Sequence, residues 1–177
     1  MAVERPRTVI ITGPGFQDEE FVYPYYRLLE AECSVDVATK DGAVVHGKYG
    51  VPARATMRTA DLSGRDFDLV VLPGGFEAPD RVRLDRDVLE FVRRMDAAGR
   101  LIAAICHGPW ILISAGILRG RRITAYQSIA DDVRNAGAEY VEAAVVVDGN
   151  LVTSPHYRDN GIFMRTALEG LNLRTDG

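Results

Sequence analysis

The strongest constraint in this sequence is its alternation of short, wholly apolar runs with longer amphipathic ones. "LVVL" (69–72) and "LIAAI" (101–105) have no polar face, and "RTVIIT" (7–12) is apolar and β-branched beyond its first residue. Runs this short, apolar on both sides, suit strands covered by helices on both faces of a parallel sheet. Helical periods separate them. "QDEEFVYPYYRLLEAE" reads as a helix with Asp18, Glu19 and Glu20 in its first turn, where the dipole favours anions, and with Phe21, Tyr25, Leu28 and Leu29 as its apolar stripe. Pro24 is expected to kink it. "RLDRDVLEFVRRMDAAG" is a second helix, with Leu84, Val88, Phe91, Val92 and Met95 inward and Gly99 just past its end. "HGPWILISAG", "SIADDVRNAG" and "NGIFMRTALEGL" read as further helices, and "SVDVAT" and "RRITAY" as strands.

Two stretches break the alternation. "AVVHGKYGVPARATM", with turn signals at His46-Gly47 and Tyr49-Gly50, is expected to leave the sheet as a small β-hairpin. "EYVEAAVVVDGNLVTS" reads as a second hairpin turned at Asp148-Gly149. The implied architecture is α/β, a three-layer sandwich around a mostly parallel central sheet. Neither a repeat nor a linker interrupts residues 1–177, so one domain is expected.

Composition narrows the classes of function. With 177 residues and 47% hydrophobic content, the chain is large enough to bury a substantial core. A formal charge of −4 with interspersed signs provides no basic face, which argues against nucleic acid as a partner. Charges or glycines interrupt every apolar run before the roughly 18 residues that a membrane-spanning helix needs. The N-terminus, with Glu4 before a short apolar run, does not read as a signal peptide. Cys33 and Cys106 are poorly placed for a secreted disulfide scaffold, so a reducing, cytoplasmic setting is expected.

The informative site lies where "LIAAI" meets Cys106-His107-Gly108-Pro109. A strand that stops at one reactive residue and turns at once into a helix has the pattern of a nucleophile elbow. Gly108 gives clearance, and Pro109 suits a first helical turn, where no N–H is required. An ordinary thiol, with a pKa of about 8.5, is only a few per cent ionised at neutral pH. A helix N-terminus is expected to lower that pKa, and each unit corresponds to about 1.4 kcal/mol of thiolate stabilisation. The N–H of His107, with one from Gly74 or Gly75, is expected to form an anion pocket beside the sulfur. Cys33 reads as core filler.

These residues carry a resemblance. "AAICHGPWILISAGILRGRRITAY", with "VVLPGGFEAPDRVR" and "FQDEEFVYPYYRLLE" upstream and "DDVRNAGAEYVEAAVVVDGNLVTS" downstream, closely resembles the PfpI branch of the ThiJ/PfpI superfamily from about Val9 to Ser154. That branch includes proteins described as intracellular proteases, and relatives described as glyoxalases or deglycases. The resemblance implies a flavodoxin-like fold, Cys106 as nucleophile, His107 as its adjacent histidine and Glu20 as the acid touching the sulfur. Glu20 assists a thiolate only when protonated, because an ionised carboxylate would raise the thiol pKa.

The resemblance also implies that Asp80, one residue farther from "PGG" than usual and Asp rather than Glu, reaches His107 from a neighbouring subunit. A homo-oligomer is therefore expected. Trp110 stands where relatives commonly carry Gln, and His156 and Tyr157 replace a different motif. All three are candidate pocket residues. His46 reads as a surface residue, and the three histidines lack the spacing of a zinc motif, so neither metal nor cofactor is expected.

The leading expectation is a cysteine enzyme acting on the electrophilic carbonyl or amide of a small molecule, with a glyoxalase, deglycase or hydrolytic outcome. The alternatives are a redox-sensing protein that oxidises Cys106 without turnover, a small-molecule hydratase or lyase with a remodelled pocket and, last, a glutamine amidotransferase relying on His156.

Overall fold

The computed structural model describes residues 5–175. Residues 1–4, on which the reading of the N-terminus partly rests, and 176–177 lie outside it. The chain runs β1 (Arg7–Ile11), α1 (Asp18–Glu30), β2 (Ser34–Thr39), β3 (Val45–His46), β4 (Pro52–Ala53) and β5 (Met57–Arg58). A 3-10 turn at Thr59–Gly64 leads to β6 (Leu69–Leu72), α2 (Glu77–Val82), α3 (Arg86–Ala97), β7 (Leu101–Ile105) and α4 (Pro109–Ala115). Then follow β8 (Arg122–Ile123), a 3-10 turn at Gln127–Ile129, α5 (Ala130–Asn135), β9 (Glu139–Tyr140), β10 (Val146–Asp148), β11 (Leu151–Ser154), a 3-10 turn at Tyr157–Asp159 and α6 (Asn160–Thr175).

The main sheet has the order β10-β11-β7-β6-β1-β2-β5, parallel except for the antiparallel pair β10-β11. Strand alternation divides the core in two. Val9, Ile11, Ile102 and Ala104 face a cluster completed by Phe91 of α3, Leu112 of α4 and Val133 of α5. Ile10, Leu101, Ala103 and Ile105 face Phe21 and Leu28 of α1 and Phe163 and Met164 of α6. Both faces are covered, as the apolar runs required, and the layered, flavodoxin-like architecture is the one expected. The β3-β4 hairpin stands outside the sheet, also as expected. Among the described residues no helix is long and apolar enough to cross a membrane.

Four local expectations need correction. Leu84 is 79% exposed, because α3 begins only at Arg86 and the apolar period was carried a turn too far upstream. Leu29 is 44% exposed, since the buried stripe of α1 runs through Phe21, Pro24 and Leu28. The second hairpin pairs only β10 with β11, whereas Glu139–Tyr140 lies parallel to Arg122–Ile123 in a separate two-stranded sheet. The short helix α2 went unread because Pro79 sits inside it.

Asp85 sets the start of α3. Its Oδ1 accepts from the Asp87 N–H at 3.1 Å, and its Oδ2 accepts from the Thr59 hydroxyl at 2.7 Å. Asp85→Ala removes both bonds and is expected to cost about 1–2 kcal/mol, the range of lost helix caps. Urea unfolding should show a lower midpoint with an unchanged slope.

Candidate active site

Three strand ends meet here. β7 delivers Cys106, β6 ends in Pro73-Gly74-Gly75, and the loop after β1 leads into Glu20 on α1. Cys106 has a positive φ of 63°, a left-handed conformation that non-glycine residues adopt at a cost. The elbow is pinned on both sides. The Cys106 N–H donates to Ser154 O at 2.9 Å, and Cys106 O accepts from the Tyr126 N–H at 2.9 Å. At Gly108 a side chain would strike the Leu72 carbonyl, so the clearance ascribed to this residue is real.

Glu20 is fully buried. Its Oε2 accepts from the Gly74 N–H at 2.8 Å, while Oε1 has no hydrogen-bond partner. Gly74 lies between acid and thiol, since a Cβ there would stand 2.5 Å from Glu20 Oε2 and 2.6 Å from Cys106 Cβ. Burial pushes the Glu20 carboxyl up to about 8, against the pull of the Gly74 N–H and of Cys106. The acid therefore keeps its proton at neutral pH, which is the condition for it to assist the sulfur.

The thiol itself departs from expectation. Burial first, and then the Glu20 charge, push Cys106 above the ordinary thiol range, while the N–H groups of Gly75 and His107 pull it down. The expected net lowering at this strand-to-helix turn is not seen, because desolvation and the Glu20 charge outweigh the two N–H donors. The two groups titrate as a pair. Gly74 also needs correction as a candidate oxyanion donor. Its N–H is spent on Glu20, and Gly75, at φ 84°, is the glycine that turns toward the sulfur.

His107 Nδ1 lies 3.2 Å from Sγ, and Nε2 lies 3.2 Å from the Ser128 hydroxyl. Tyr126 stacks on the ring at 5.0 Å, and Trp110 meets it edge-on at 5.1 Å. Trp110 is held by a 2.9 Å bond from Nε1 to Asp132 Oδ2. Burial draws the imidazole pKa down, partly offset by Asp132, so the ring is neutral at neutral pH.

His156 does not touch the sulfur. Its ring packs on Tyr126 at 6.0 Å and on Tyr157 at 4.1 Å. It lines a cavity of about 570 Å³ with Tyr126, Gln127, Glu142 and Asp159. The backbone N–H of Tyr157 faces Glu20, whereas its side chain borders a separate groove along α1. Asp80 is exposed on α2 and makes no hydrogen bond or ion pair among the described residues. Cys33 is buried in the core and His46 is exposed.

The structure thus brings together Cys106, His107, Glu20, Gly74, Gly75 and Trp110. Tyr126, Ser128 and Asp132 escaped the sequence reading. For Tyr126 and Ser128 the one signal was the polar stretch "YQS" (126–128) shortly after β8, and Asp132 had none.

A flavodoxin-like sheet with a strained cysteine at the end of a central strand, backed by a buried acid and an adjacent histidine, defines a class of cysteine-centred α/β proteins. Residues 6–170 match the DJ-1/PfpI family, and the chain belongs to it. It is 43% identical to the deglycase PfpI of Pyrococcus furiosus over 90% of this chain and 95% of that one. It is 38% identical to a putative cysteine protease, YraA, of Bacillus subtilis over 94% of this chain and 97% of that one. The crystal structure of Drosophila melanogaster DJ-1beta superposes with a TM-score of 0.88 at 31% identity, covering 94% of this chain and 90% of that one. The names of the first two relatives are those of enzymes.

Proposed function

We propose that this chain is a cysteine enzyme that adds the Cys106 sulfur to the carbonyl of a small α-oxoaldehyde or of an adduct derived from one. One observation carries the reading. Sγ stands at a strained elbow between the N–H groups of Gly75 and His107, with a protonated acid on one side and a neutral imidazole on the other. The names of the relatives support carbonyl chemistry of this kind.

In this scheme the sulfur forms a bond to the aldehyde carbon and the carbonyl oxygen takes up a proton, giving a hemithioacetal. His107 removes the proton from that carbon and returns one to the neighbouring ketone carbon, while the hemithioacetal hydroxyl gives up its proton and the ketone oxygen takes one up, leaving a 2-hydroxy thioester. Water cleaves the thioester, releasing a 2-hydroxy acid and the free thiol. The aldehyde carbon is oxidised as its neighbour is reduced, so no outside oxidant or reductant enters the balance. Asp80, which does not reach His107 within one chain, enters this reading from a second copy. Mixing Asp80→Ala with Cys106→Ala protomers is then expected to restore turnover that neither has alone.

The test is incubation with methylglyoxal, following lactate for the native protein, Cys106→Ser and His107→Ala. Lactate formation that depends on both residues is the expected result. Turnover that survives Cys106→Ser rejects the mechanism.

A further inference from the structure

We infer that the cavity beside Tyr126 is a binding site for a short polyhydroxylated carbon chain, held through its vicinal hydroxyls. The chain is either the tail of a sugar-derived α-oxoaldehyde or a free polyol, and the groups that recognise it are the same. Only the first of these sources rests on the reaction proposed above.

The cavity, of about 570 Å³, has the size of a small-ligand site and shares a wall with the reaction centre. Tyr126 stacks on His107 at 5.0 Å, and it lines the cavity together with His156, whose ring lies 6.0 Å from its own. Thr124 also lines the cavity and is fully buried. Its neighbours Ile123 and Ala125 belong to the core cluster that packs α4 and α5, so by alternation the Thr124 side chain points the other way. Its Oγ1 has no hydrogen-bond partner among the described residues. A buried polar atom left unpaired costs about 1–3 kcal/mol, so a hydroxyl of this kind in a cavity wall marks a place for a ligand atom.

The other groups define the ligand. The backbone N–H of Arg158, which can only donate, gives its hydrogen to His156 Nδ1 at 3.2 Å. Burial and then Arg158 draw the His156 pKa down, partly offset by Asp159 and Glu19. The neutral ring therefore carries its proton on Nε2, as a donor. Gln127 adds an amide that both donates and accepts, and Asp159 a carboxylate that accepts. These groups surround two aromatic rings, Tyr126 and Tyr140. A polyol chain fits both features, since each hydroxyl donates and accepts while its C–H groups pack on the rings. An anion would meet the carboxylates of Glu142 and Asp159, and a cation the guanidinium of Arg158. An uncharged ligand meets neither objection.

The test is saturation-transfer NMR with ribitol on the native protein, Thr124→Val and Gln127→Ala. Butane-1,4-diol serves as the chain without vicinal hydroxyls and butane-1,4-diamine as the cationic one. Ribitol is expected to bind the native protein and the other two are not. Thr124→Val keeps the shape and removes only the unpaired hydroxyl, so Tm should not fall while ribitol binding weakens on the order of fivefold, the worth of one neutral hydrogen bond. Gln127→Ala, at an exposed position, should weaken it in the same direction. Absence of ribitol binding overturns the proposal, as does binding that Thr124→Val leaves unchanged. Binding of the diamine in place of ribitol also overturns it and gives the cavity to an amine. The source is read from kcat/KM for 3-deoxyglucosone, a six-carbon 2-oxoaldehyde with a hydroxylated tail, relative to methylglyoxal. A fall of that ratio on the order of fivefold in Thr124→Val assigns the chain to the substrate. An unchanged ratio, with ribitol bound by the native protein, assigns it to a free polyol. Turnover of neither aldehyde defeats the proposed reaction and leaves the ribitol result to decide for the site.

Discussion

Glu20→Gln is expected to raise stability at neutral and mildly alkaline pH while lowering turnover. In the unfolded chain this carboxyl loses its proton near its ordinary value of 4.5, whereas in the folded protein burial holds the proton up to about 8. Between those values the unfolded state binds fewer protons than the folded one, so stability falls as pH rises. The slope is about 1.4 kcal/mol per pH unit, which amounts to roughly 3 kcal/mol by pH 7 and on the order of 5 kcal/mol by pH 8.

Glutamine keeps an oxygen for the Gly74 N–H but has nothing to ionise, so its contribution is flat across the window. Urea unfolding from about pH 5 to about pH 8 should give two diverging lines, with the variant increasingly the more stable. A gain of about 3 kcal/mol corresponds to roughly 6–12 °C in Tm for a chain of this size. Turnover should drop, because an amide N–H is a weaker donor to sulfur than a carboxylic acid. Parallel lines would show that the carboxyl is ionised in the folded protein and repels the thiolate it was thought to aid.

That acid shows what could and could not be read from the sequence. The sheet was legible because burial on both faces leaves a simple imprint: apolar runs of four or five residues with helical periods between them. The cysteine elbow was legible for a similar local reason, since Cys106, His107, Gly108 and Pro109 are contiguous. Glu20 was placed by resemblance, and its protonation depends on burial that no local pattern encodes. The same holds for the thiol, where the sequence suggested a favourable helix end and the structure shows desolvation prevailing over it. Leu84 and Leu29 were misplaced because a helical period does not mark where a helix starts or which flank of a broad stripe meets the core. Ser128 was out of reach altogether. It joins His107 from 21 residues away, in a turn tied to the elbow by the Tyr126 N–H bond to Cys106 O.

Gly74→Ala is expected to abolish turnover and to cost several kcal/mol of stability, although it adds only one methyl group. A Cβ at this position would lie 2.8 Å from the Ile105 carbonyl, 2.6 Å from Cys106 Cβ and 2.5 Å from Glu20 Oε2. The carbonyl and Cys106 Cβ belong to the β7 strand end and cannot give way without dragging the elbow. The carboxyl can swing aside, but it then loses the Gly74 N–H and leaves a buried oxygen unpaired. Overpacking of this kind typically costs about 1–3 kcal/mol, and an orphaned buried polar group adds a further 1–3. Gly64→Ala is the matched control, because nothing lies within 4 Å of a Cβ built there and its φ is not positive. It should change stability by less than about 1 kcal/mol and turnover not at all. The contrast tests the arrangement more directly than removal of the sulfur does. Cys106→Ser asks only whether the atom is needed, whereas Gly74→Ala leaves acid, thiol and imidazole in the chain and alters only the gap between the first two. An alanine protein that kept native stability and turnover would mean that Glu20 and Cys106 do not meet across this glycine, and the acid would have no contact with the sulfur it is proposed to assist.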